Sequence, residues 1–212
     1  RSGLARRPVG AALPAGSLVS AGTEGGTARQ PTIAPAHGDE LPSVTAVVAE
    51  FRASMVETDP RRPNGLLGVL RDLHQTNLEQ WSWEDRVRGS GGDDSAVAAA
   101  KRAIDRLNAR RHELVEAIDA AINAAVTQRP AAIPSTESPG MAFDRLSVLV
   151  IRIHHTEAAA ARGEDAAGLR ARLPVLETQV AVLEEALDAL LSEIRSGTRR
   201  FLPHQSLKLY QP

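Results

Sequence analysis

Asn77, Trp81, Glu84 and Arg88 follow one another at three- and four-residue steps, the spacing that keeps side chains on one face of a helix. Counting about 100° per residue from Leu70, that face also holds Leu66, Leu73 and His74, all within about 60°. Asp72, Gln75, Glu79, Ser82 and Arg86 lie on the opposite, solvated side. The apolar stripe therefore turns polar toward its C-terminal end while still facing inward. An amide, a carboxylate and a guanidinium on an inward face either pair with one another or bind something polar, because an unpaired charge taken from water costs several kcal/mol.

Two further segments repeat the feature. In "KRAIDRLNARRHELVEAID", Ile104, Leu107, Val115, Ile118 and Ile122 define a buried face, with Arg111 near its middle and Asn108 at its edge. Lys101, Asp105, His112, Glu116 and Asp119 form a flank roughly 100° away. In "GMAFDRLSVLVIRIHH", one side carries Leu146, Leu149, Val150 and Ile153; the other carries Asp144, Val148, Ile151 and His155, with Arg145 and Arg152 beside it. Arg88 and Arg111 are expected to pair with Glu84, Asp105 or Asp144. Such a cluster acts in one of two ways. It is a structural network that fixes helix register, or it is a pocket where arginines hold an anionic ligand.

The elements that must position these residues are all helical. Aromatic residues make up only 3% of the 212-residue chain, so the core draws on Leu, Val, Ile and Ala, a composition that favours helix over sheet. Residues 1–42 are rich in Gly, Pro, Ala, Ser and Thr without periodicity and read as a disordered tail ahead of a helical domain over 43–212. Ser43 opens a first helix, and a second runs from about Leu66 to Arg88. A third covers about Ala96 to Gln128, and a fourth about Met141 to Ala161. A fifth is expected from Pro174, a residue suited to a first turn, to Gly197, followed by an irregular C-terminal tail. Leu176, Val180, Leu183, Leu187, Leu190 and Ile194 give the fifth a coiled-coil-like seam, fit for the bundle or for a homodimer through residues 176–194. The expectation is an all-α bundle of four to five helices.

Other chemistries find little support. The chain has no cysteine, which removes thiolate nucleophiles, disulfides and Cys-ligated metals. The Glu-x-x-His pairs of a di-iron bundle are missing, and "HHTE" at 154–157 points its neighbouring histidines in different directions, so no metal or cofactor is expected. "GSGGDD" lies between two helices and lacks a phosphate-loop lysine. A formal charge of −1 gives no field for nucleic acid, and no apolar run nears the roughly 18 residues of a membrane span. The default location is the cytoplasm.

"NLEQWSWEDRVR", "AAKRAIDRLNARRHELVEAID", "TESPGMAFDRLSVLVIRIHH" and "SLKLY" together resemble a bacterial family known as domain of unknown function 4254, in order from about Leu66 to Tyr210. The family pattern falls on Asn77, Trp81, Glu84, Asp85, Arg88, Lys101, Asp105, Asn108, Arg111 and Asp119. It continues through Glu137, Ser138, Asp144, Arg145, Leu146, Ser147, Arg152, His155, Lys208 and Tyr210. Family members are often encoded beside glycosyltransferases and other surface-polysaccharide genes. The resemblance thus implies an accessory or interaction protein of glycan biosynthesis, whose partner is another protein. The polar cluster offers an alternative, a small cofactor-free enzyme that binds an anionic small molecule.

Overall fold

The computed structural model describes residues 41–56, 62–89, 94–163 and 165–206. The tail expected over residues 1–42 lies, up to residue 40, outside the described residues, as do Lys208 and Tyr210. Five helices account for nearly all of the rest: α1 (Val44–Ser54), α2 (Gly65–Gly89), α3 (Asp94–Ala125), α4 (Pro139–Arg162) and α5 (Ala166–Ser196). The fold is all-α. A two-residue parallel ladder joins β1 (Ile133–Pro134) to β2 (Arg199–Arg200).

Local chemistry sets the helix ends. Ser43 caps α1, its hydroxyl accepting from the Ala46 N–H at 3.2 Å. Ser138 caps α4 in the same way through the Met141 N–H at 3.3 Å, and Pro139 occupies the first turn, where its missing N–H costs nothing. Gly163 ends α4 and Gly197 ends α5, both with left-handed backbone. α5 begins eight residues before the expected start, so Pro174 lies inside it. The reason is visible in the seam, which continues N-terminally through the half-buried Leu173 and Leu169. Leu173 packs on the core, and that packing outweighs the hydrogen bond Pro174 cannot donate.

Contacts between the helices give their directions. α2 runs parallel to α4, with Asn77 between Asp144 and Ser147 and Trp81 against His155. α3 runs antiparallel to α4, with Arg111 on Asp144 and Asp119 on Gly140. α1 lies antiparallel to α5, through Val44 to Asp188, Thr45 to Glu184 and Arg52 to Glu177. The most extensive packing joins α2 to α3 and α4 to α5, two hairpins placed side by side. Between them Phe51, Leu70, Leu73, Ile118, Ile122, Phe143, Leu146 and Leu187 form a continuous dry core. The α5 seam belongs to it: Leu176, Val180, Leu187, Leu191 and Ile194 are buried within the chain's own bundle.

Asp119 ties three segments together. It is fully buried, and its two oxygens accept separately from the Gly140 N–H at 2.7 Å and the His204 N–H at 2.8 Å. Ser138 bonds to it as well. Burial raises its pKa above the usual carboxylate value, against the opposing pull of these donors. The first joins α3 to the start of α4, and the second straps the C-terminal segment across α3. Phe201 N–H reinforces the strap by donating to Gln128 Oε1 at 2.7 Å, a side-chain bond that coincides with the end of α3 at Ala125, three residues early.

The close approach of α4 to α3 requires glycine at 140. A Cβ there would stand 2.7 Å from the Val115 carbonyl oxygen and 2.8 Å from Asp119 Oδ1. Gly140→Ala is expected to cost about 2 kcal/mol, lowering the melting temperature by about 4–8 °C in calorimetry. A shift under about 1 °C would mean that α4 does not depend on this contact.

Candidate functional site

The inward polar residues of α2, α3 and α4 meet in one chain of hydrogen bonds. Arg111 grips Asp144 with both arms of its fork: Nε donates to Oδ1 at 2.7 Å and Nη2 donates to Oδ2. Asn77 donates one amide N–H to Asp144 Oδ1 and the other to Ser147 Oγ, each at 3.0 Å. His74 Nδ1 lies 2.9 Å from the same hydroxyl, and its Nε2 lies 3.2 Å from Met55 Sδ. The imidazole also stacks flat on Phe51, with ring centres 4.5 Å apart.

These contacts fix the proton arrangement. A thioether only accepts, so the single proton of a neutral His74 ring sits on Nε2. Nδ1 is then the acceptor for the Ser147 O–H, and Ser147 Oγ accepts from Asn77. The bonds run unbroken from the α3 surface to α1. Asp144 is 2% exposed and His74 fully buried, so the network lies inside the protein. Arg111 reaches outward at one end, with a third of its side chain in contact with solvent, and the half-buried Met55 closes the other. The Asp144 bond holds its guanidinium charged more firmly than usual, and Glu84 adds a weaker attraction.

Four further candidates, Glu84, Asn108, Trp81 and His155, are half-buried. Glu84 accepts from Gln80 Nε2 at 3.2 Å, and Asn108 lies half-buried on α3. Trp81 stacks on His155, ring centres 5.0 Å apart. His155 Nε2 is buried without a hydrogen-bond partner among the described residues. Burial lowers its pKa, opposed by Asp85 and reinforced by His154 and Arg162, which favours the neutral ring.

Several candidates stand elsewhere. Arg88 is exposed and pairs with Asp85, one turn back on its own helix, rather than with Glu84, Asp105 or Asp144. It shares the angular position of Leu70, yet it lies roughly 27 Å further along the axis, where the last turn of α2 is open to solvent. Lys101 and Asp105 are also exposed. Arg145 points outward and bonds Glu137 at 2.6 Å. The pairing of Arg111 with Asp144 is as expected. His74 and Ser147 complete the network although neither was singled out as a site residue. His74 had shown itself by its place on the inward stripe, and Ser147 by the family pattern. Asp119 was assigned to a flank, and the spacing gave no sign that the C-terminal segment would cover it.

Of two clefts formed by described residues, one touches the network only at Met55 and the other avoids it. One, of about 180 Å³, lies between Arg52, Met55, Val56, Ile153 and Glu157; the other, of about 290 Å³, lies between Val126, Arg129 and Ser196. Among the described residues no cluster of three metal-ligating side chains occurs, and no helix is long and apolar enough to cross a membrane.

A family model described as "Protein of unknown function (DUF4254)" matches residues 68–202, which span the network from α2 to the C-terminal strap. No curated protein and no solved structure matches the chain significantly.

Burial away from water lowers the His74 pKa from 6.5 to about 4, only partly offset by its bond to the Phe51 carbonyl. As the pH falls, the unfolded chain therefore binds this proton before the native one does. The stability is complete above about pH 6.5 and lost progressively down to about pH 4, a total near 3 kcal/mol. Urea unfolding of the wild type and of His74→Gln, compared across that window, should show a steeper acid loss for the wild type by about this amount. Parallel slopes would mean that His74 is accessible to protons in the folded state.

Proposed function

The chain belongs to the DUF4254 family, and from that membership we propose an accessory or interaction protein acting in the bacterial cytoplasm beside the enzymes of surface-polysaccharide synthesis. The observation that carries this reading is the state of the polar network. Asp144 gives its oxygens to Arg111 and Asn77, and Ser147 gives its lone pair and its proton to Asn77 and His74. A base or nucleophile at either position would first have to break the bonds that align three helices. Such a network suits a stable scaffold that presents surfaces. The pathway comes from the glycosyltransferase neighbourhood of the family, and the partner is accordingly a protein of that machinery.

A second reading has its own observation. Arg111 reaches solvent within the field of Glu84, and one turn back from Glu84 Trp81 stacks on His155, whose buried Nε2 has no hydrogen-bond partner among the described residues. That corner fits a small cofactor-free enzyme in which Arg111 holds an anionic metabolite and Glu84 or His155 moves a proton.

Affinity capture of the tagged full-length chain from its own host, followed by mass spectrometry, separates the two. The scaffold reading expects enzymes of glycan assembly to be retained reproducibly. Turnover of an anionic metabolite by the isolated chain, abolished in Glu84→Gln at an unchanged melting temperature, would overturn it in favour of the enzyme.

A further inference from the structure

The face of α5 that points away from the bundle is unusual for a solvent-facing helix. Ala171, Val175, Thr178, Val182, Ala186 and Ala189 lie within about 60° of Val175 on that face, and all are exposed. Val175 and Val182 are 59% and 60% exposed, two of the most exposed large apolar residues described. The inward seam of the same helix is fully engaged by the chain's own core, so this outer stripe is a separate surface.

The charges beside the stripe are polarised along the axis. Arg170 and Arg172 stand near its start, and Glu185 near its end. Arg170, Arg172 and Glu185 are exposed and form no ion pair among the described residues. A second α5 laid parallel would set arginine against arginine and carboxylate against carboxylate. Laid antiparallel, the same helix sets each positive start against a negative end. One register satisfies the apolar and charged positions together. With the two-fold axis between Thr178 and Gln179, Val175 faces the partner's Val182 and Ala171 faces the partner's Ala186. On one flank of the pair, Arg170 then falls nearest the partner's Glu185.

We propose that the chain forms an antiparallel homodimer through the outer face of α5, with its two-fold axis between Thr178 and Gln179. The small residues let the helix axes approach closely, and the two valine pairs supply the apolar contact. The stripe spans roughly 27 Å from Ala171 to Ala189, so the interface lies at the small end of stable interfaces. The dimer is therefore expected to dissociate on dilution.

The chain contains no cysteine, so a single introduced one reports the register cleanly. In the full-length protein, Thr178→Cys should form a disulfide-linked dimer under mild oxidation, because two copies meet at the axis. Ala171→Cys should not, since its two copies stand roughly 22 Å apart, whereas mixed Ala171→Cys and Ala186→Cys chains should link. Sedimentation velocity should show the wild-type dimer dissociating on dilution. Val182→Glu should weaken it at least tenfold without changing the melting temperature of the dilute, monomeric chain, and Arg170→Glu should weaken it more modestly. A chain that stays monomeric through the high-micromolar range overturns the proposal. So does a dimer indifferent to Val182→Glu, or equal self-linking of Thr178→Cys and Ala171→Cys, which marks a parallel pair.

Discussion

A carboxylate withdrawn from water governs the centre of this protein. Asp144 is placed by α4 among Phe143, Leu146 and the facing residues of α2 and α3, where an unpaired negative charge would be costly. Arg111 must reach it from α3 and Asn77 from α2, and each can do so at only one helical register. The fork of Arg111 fixes rotation as well as distance, because two parallel bonds to two oxygens demand a single plane. The hydrophobic contacts around it would tolerate small slips of helix on helix; the ion pair does not.

From that pair the constraint spreads outward. Ser147 lies one turn along α4 from Asp144, which lets Asn77 touch both and passes the linkage to His74. His74 in turn lies flat on Phe51 and meets Met55, so α1 is positioned by the far end of the same network. A second carboxylate, Asp119, works at the other end of the α3–α4 contact. It holds the first turn of α4 and the C-terminal strap through backbone N–H groups. The matched region, residues 68–202, begins within α2 and ends at the strap, and so contains both carboxylates. On the proposed reading, this internal rigidity serves the surfaces the bundle shows to other molecules.

Much of this was legible in the sequence, for identifiable reasons. Helical periodicity placed Leu70, Leu73, His74 and Asn77 inward, and the need to pair a buried charge led from Arg111 to Asp144. Periodicity gives an angle, however, and says nothing of position along the bundle. That is why Arg88, at the angle of Leu70, is found in solvent at the end of α2 with Asp85 as its partner. Pro174 invited a helix start because its local chemistry favours one, yet the leucines before it continued the seam and tertiary packing prevailed. Asp119 was hidden for a different reason. Its neighbours, Gly140 and His204, come from distant parts of the chain, and a helical wheel of α3 contains neither.

The claim that one ion pair sets the register of three helices is tested most directly by a double-mutant cycle. Asp144→Asn, Arg111→Met and the double variant would be compared with the wild type by urea unfolding at neutral pH. Arg111→Met alone leaves a buried carboxylate without its main partner and should be the most destabilising, by about 3–5 kcal/mol. The double variant should recover part of that loss, giving a coupling energy of about 2 kcal/mol. A coupling below about 0.5 kcal/mol, with losses that simply add, would contradict the account, because the two side chains would then stabilise the bundle independently.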